Sequence, residues 1–82
     1  MAERDKVLDE VVRGRSDSNI AFRDLRNLLL RLGFEERTSG GHPIFRRKGI
    51  RELINLQKDG NKAKPYQVRQ VRRIIVEYKL GG

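Results

Sequence analysis

The chain has 82 residues, with 19 Lys and Arg against 11 Asp and Glu, and a formal net charge of +8. That length fits one domain, near the size at which only about 60% of the unfolded surface can be buried, and the lack of Cys beside a single His excludes disulfides, thiolate chemistry and a structural zinc site. The longest aliphatic runs, Leu28-Leu29-Leu30 and Ile74-Ile75-Val76, are too short to span a bilayer and no apolar signal segment opens the sequence, so the expectation is a soluble cytoplasmic protein with no membrane partner, metal or other cofactor.

In chain order, the segment 3–13 carries Val7, Leu8, Val11 and Val12 at helical spacing and stops at Gly14, which predicts a first helix. The polar stretch 15–19 reads as a loop. Over 22–32, residues Phe22, Leu25, Leu28, Leu29 and Leu32 fall on one face; Gly33 supplies the left-handed residue that stops a helix, and Phe34 folds back on it. The turn-bounded runs 34–39 and 43–48 suit paired strands, and Lys48-Gly49 turns the chain into 52–57, where Ile54 and Leu56 alternate with polar neighbours. Of the neighbours Ile44 and Phe45, alternation does not say which points inward. Asp59-Gly60-Asn61 breaks the third strand, Pro65 opens a last helix whose buried stripe is Val68, Val71, Ile74, Ile75 and Tyr78, and Gly81-Gly82 ends it. The fold class expected is α+β: a three-stranded antiparallel sheet with the last two helices on one face and the other face open to solvent.

The basic excess is uneven. From Gly40 onward stand 11 Lys and Arg but only Glu52, Asp59 and Glu77 among the acids. A bias of this size reads either as a footprint for a phosphate backbone, with salt-dependent affinity, or as a solubilising surface. The lone His lies in Ser39-Gly40-Gly41-His42-Pro43-Ile44-Phe45. Imidazole is the side chain that changes charge nearest neutral pH, and paired glycines let a ligand backbone come close to it, a combination that suits a small enzyme acting on nucleic acid. The same residues also describe a hairpin turn with a histidine that only hydrogen-bonds locally or stacks.

Three motifs in order, Leu28-Leu29-Leu30-Arg31-Leu32-Gly33-Phe34-Glu35, Gly41-His42-Pro43-Ile44-Phe45 and Gly60-Asn61-Lys62-Ala63-Lys64-Pro65, resemble the helix-to-strand entry, the Gly-Ser-His-x-x-aromatic signature and the approach to the basic last helix of the HicA-type mRNA interferase toxins. The resemblance covers Leu25 to Tyr78; Gly41 stands where the family commonly has Ser, and Pro43 where many members have a second His. It implies a double-stranded-RNA-binding-domain-like α-β-β-β-α order over 20–82, with 1–19 as an added N-terminal helix that packs on the sheet edge or meets a partner. It also implies metal-independent cleavage of mRNA as substrate, and neutralisation by a HicB-like antitoxin.

In such a ribonuclease the substrate's own 2′-hydroxyl is the nucleophile, so a base, an acid and cationic donors around the phosphate are needed. His42 is the candidate catalytic residue; Gly40, Gly41, Arg37, Arg46, Arg47, Lys58, Lys62 and Lys64 are the candidate RNA-binding residues. The second proton falls to water, Tyr66, Tyr78 or a lysine. Arg69, Arg72 and Arg73 either track RNA or meet an acidic antitoxin surface. A non-catalytic RNA-binding module and a pure protein-interaction domain are the alternative function classes.

Overall fold

The computed structural model describes residues 5–81, so the expected helical positions 3 and 4 and the closing Gly82 lie outside the described residues. The fold is α+β: helix α1 (Lys6–Arg13), a 3₁₀ turn (Asp17–Asn19), helix α2 (Phe22–Arg31), strands β1 (Glu35–Ser39), β2 (His42–Arg46) and β3 (Ile54–Asn55), strands β4 (Lys58–Asp59) and β5 (Lys62–Ala63), and helix α3 (Pro65–Glu77). One sheet has the order β1-β2-β3, antiparallel throughout, and β4 and β5 pair separately.

Each helix has a local cause. The Asp5 carboxylate accepts from the Val7 and Leu8 backbone N–H groups at 3.2 Å, capping the first turn of α1. Helix α2 ends in a Schellman motif: Phe34 N–H donates to the Leu29 carbonyl and Gly33 N–H to that of Leu30, with Gly33 at φ 91°. Helix α3 starts at Pro65, whose missing N–H costs nothing at that position.

Val11, Leu25, Leu28, Leu29, Phe45, Ile54, Leu56, Val68, Val71 and Ile74 are fully buried in one cluster that joins the helices to one face of the sheet. Alternation along β2 sends Phe45 into that core and leaves half-buried Ile44 on the other face, beside exposed His42 and Arg46. The first helix packs on α3 and α2.

Expectations are corrected at two places, the third strand with its break and the end of the last helix. Asp59-Gly60-Asn61 does not simply break a strand: Asp59 pairs with Lys62 across a two-residue Gly60-Asn61 turn, and only Gly60 takes positive φ, 65°, the requirement of a type II′ hairpin. This hairpin makes a second small sheet and docks on the entry to α2, where Ala63 N–H donates to the Ile20 carbonyl and Phe22 N–H to that of Asn61. The third strand is shorter than 52–57, its ladder confined to Ile54 and Asn55, with Leu56 N–H still donating to the Pro43 carbonyl at 3.0 Å. Second, α3 stops at Glu77 rather than at the final glycines: Lys79 takes φ 55° and Leu80 N–H closes on the Ile75 carbonyl at 2.9 Å, which returns Leu80 to the core.

Candidate nucleic-acid interface around His42

His42 is placed by a tight hairpin. Ser39 pairs with His42, so Gly40 and Gly41 form a two-residue turn; both have positive φ, 60° and 84°, as a type I′ turn demands. A side-chain carbon built at either glycine would meet nothing within 4 Å, so the space in front of the turn is open to a ligand. His42 is exposed, and its side chain makes no hydrogen bond or ion pair with another described residue.

A shallow cleft of about 370 Å³ begins at this turn, lined by Phe22, Gly41, His42, Pro43, Leu56, Gln57, Lys58 and Lys64. The chain thus brings four predicted site residues, Gly41, His42, Lys58 and Lys64, to one hollow, with Gly40 in the turn beside it. Among the described residues no carboxylate lines it. The Lys58 ammonium lies over the Phe22 ring, 5.0 Å from its centroid, close enough for a cation–π contact.

The remaining predicted cations sit elsewhere. Cross-strand pairs Ser39 with His42, Arg37 with Ile44 and Glu35 with Arg46 put Arg37 and Arg46 on the same open face as His42. At about 3.3 Å per residue, Arg46 is roughly 13 Å along β2 from His42. It opens onto a second hollow, of about 530 Å³, with Glu35, Arg47, Lys48, Gly49, Ile50 and Leu53. Arg47 lies against Gly33, its Nε 3.4 Å from where a side-chain carbon there would stand. Lys62 is not in the cleft; its ammonium donates to the Asn19 side-chain oxygen at 2.6 Å. Of the two tyrosines, Tyr66 reaches the cleft wall, while Tyr78 packs on the core at the far end of α3.

Ion pairing explains why the sheet side keeps its positive charge. Among the described residues, Arg72 and Arg69 pair with Asp17, Arg73 with Glu52 and Glu77, Arg26 with Glu36 and Arg31 with Asp5, whereas no ion pair reaches Arg37, Arg46, Arg47, Lys58 or Lys64. Hydrogen bonds from Arg31 and Arg72 hold the Asp5 and Asp17 carboxyls below their ordinary range. Arg69, Arg72 and Arg73 therefore tie α3 to the N-terminal segment and to the loop before β3.

Sequence reasoning missed two glutamines. Gln67, only 3% exposed, accepts from the Gln57 backbone N–H at 2.7 Å and donates to the Gln70 side chain at 3.1 Å. Gln57 in turn accepts from the Tyr66 hydroxyl at 3.1 Å. The readable signal was Gln67 on the apolar stripe, four residues before Val71, where a polar side chain must find a partner. Among the described residues no cluster of three His, Asp or Glu side chains is placed to hold a metal ion, and no helix is long and apolar enough to cross a membrane. Comparisons with protein-family models, with curated proteins and with solved structures find no match to this chain.

Proposed function

We propose that this chain is a metal-independent endoribonuclease that cleaves mRNA, the toxin of a HicA-type toxin-antitoxin module acting in the cytoplasm and silenced by a HicB-like antitoxin. The observation that carries the reading is the position of His42: an exposed imidazole with no competing side-chain partner among the described residues, at the mouth of a cleft lined by Lys58 and Lys64 and by no described carboxylate. In this reading α2, β1, β2, β3 and α3 follow the double-stranded-RNA-binding-domain-like order, with the β4–β5 hairpin inserted before α3.

The chemistry asked of the cleft is a transesterification. The substrate 2′-oxygen forms a bond to phosphorus, the bond from phosphorus to the 5′-oxygen breaks, and the products are a 2′,3′-cyclic phosphate and a 5′-hydroxyl. His42 takes the proton from the 2′-hydroxyl; water supplies the proton that the 5′-oxygen gains. Lysine ammonium groups stabilise the added charge on the phosphorane oxygens.

A second reading, a non-catalytic RNA-binding module, is favoured by one feature: no described side chain orients the His42 ring, whereas a catalytic base commonly has such an orienter. Incubating the purified protein with mRNA in excess chelator separates the two. Cleavage to fragments with 2′,3′-cyclic phosphate ends supports the nuclease; binding with intact RNA supports the module.

A further inference from the structure

Gln57 is held by two residues of α3, Gln67 at its backbone and Tyr66 at its side-chain amide, in a way that leaves its amino group free. Its backbone N–H is taken by buried Gln67 at 2.7 Å, which fixes where the residue leaves the β3 region. Its Oε1 is taken by the Tyr66 hydroxyl at 3.1 Å, which fixes the amide plane. The amino group, Nε2, has no hydrogen-bond partner among the described residues. Among the described residues no buried side-chain nitrogen or oxygen lacks a partner, so Nε2 keeps access to solvent. Gln57 thus brings an unpartnered amino donor to the wall of the cleft that also holds His42, Lys58 and Lys64.

We propose that the cleft is a phosphodiester-binding site in which Gln57 Nε2 donates a hydrogen bond to a non-bridging phosphate oxygen, with Tyr66 as the positioning residue that keeps the amino group forward. The pairing of groups follows from the cleft's chemistry. Lysine ammonium groups attract a phosphate but fix no direction, whereas a side-chain amide held by Tyr66 on an anchored backbone supplies a directed donor at little entropic cost. A nucleobase edge, which carries no net charge, draws less on the Lys58 and Lys64 ammonium groups of the lining than an anionic phosphate does. The assignment rests on the RNA-cleaving reading for its biological substrate, but the phosphate contact itself does not need cleavage.

The test uses the full chain and two probes, inorganic phosphate and an uncleavable 2′-O-methyl oligoribonucleotide. Phosphate titration should move the Gln57 side-chain amide resonances. Gln57→Met and Gln57→Glu should weaken oligonucleotide binding about tenfold, the loss of one hydrogen bond to a charged group, with the second variant the weaker. Tyr66→Phe should weaken binding a few-fold, leave the unfolding temperature in place and shift the same amide resonances, which a merely structural role would not do. Unmoved amide resonances on phosphate addition, or wild-type affinity in both Gln57 variants, would overturn the proposal. If mRNA stays intact but phosphate and oligonucleotide still engage Gln57, the nuclease reading fails and this assignment stands. If mRNA is cut and the Gln57 variants bind and cut like the parent, the reverse holds.

Discussion

Arg72 and Asp17 are joined by two hydrogen bonds, 2.8 and 3.1 Å long, and the same guanidinium donates to the Val11 carbonyl at 3.2 Å. One arginine of α3 thereby holds both the end of α1 and the 3₁₀ turn. It also lies so close to Gly14 that a side-chain carbon built there would stand 2.8 Å from its terminal nitrogen. Asp17 has its pKa lowered from 3.8, chiefly by the hydrogen bond from Arg72, and Asp5 is lowered from the same value by Arg31. Carboxylates depressed in the folded state contribute stability above about pH 4, and lose it as pH falls through their folded values, because the unfolded chain then binds more protons. The unfolding temperature should therefore drop on acidification below about pH 4. Asp17→Asn should be less stable than the parent at pH 7 by about 1 to 2 kcal/mol, an amount already reduced for partial solvent exposure, and should show a shallower acid dependence. An acid profile identical to the parent's would remove Asp17 from this role.

Gln67→Met keeps the volume of the buried side chain but leaves the Gln57 N–H without its acceptor. Removing a partner from a half-buried donor should cost about 1 to 3 kcal/mol, measured by urea unfolding. An unchanged midpoint would mean that water replaces the bond without loss.

Lys79 is an exposed non-glycine residue at φ 55°, in the left-handed position that closes α3. Lys79→Gly relieves that strain, so thermal unfolding should show a gain of about 0.5 to 1 kcal/mol. Destabilisation would show that the lysine side chain contributes something its backbone geometry does not reveal.

RNA affinity should fall with rising salt. Each of Lys58→Gln and Lys64→Gln should lessen the slope of log affinity against log salt by about 0.7, the value for one phosphate contact on a single strand. Lys62→Gln should change it least, since that ammonium is already engaged by Asn19. The opposite ranking, with Lys62 dominant, would move the phosphate track to the far side of the β4–β5 hairpin.

What the sequence disclosed and what it hid follow the range of the interactions. The end of α2 was readable because Gly33 and Phe34 act through bonds to residues three and five positions back, and the core stripes of α2 and α3 were readable because their period is local. The Gly60-Asn61 hairpin carried a dipeptide signal too, but its flanking strands of two residues are too short to show alternation. The end of α3 was misplaced because glycine is the usual left-handed residue, while here Leu80, by packing on the core, holds Lys79 in that conformation. The positions of Arg69, Arg72 and Arg73 on α3 were legible, yet their partners Asp17 and Glu52 are separated from them by 21 to 55 residues. At the site, His42 and its glycine turn were legible as a unit, whereas Gln57 stands out only once Tyr66 and Gln67 are seen to hold it.

The most direct test of the nuclease reading compares RNA cleavage by the purified parent and by His42→Ala. The His42 side chain is exposed and makes no hydrogen bond with another described residue, so the variant should fold with stability within about 0.5 kcal/mol of the parent. It should keep most of its RNA affinity and lose cleavage by roughly 10²- to 10⁴-fold, the usual contribution of a positioned acid or base. A folded His42→Ala protein that cleaves RNA at the parent's rate would contradict the account.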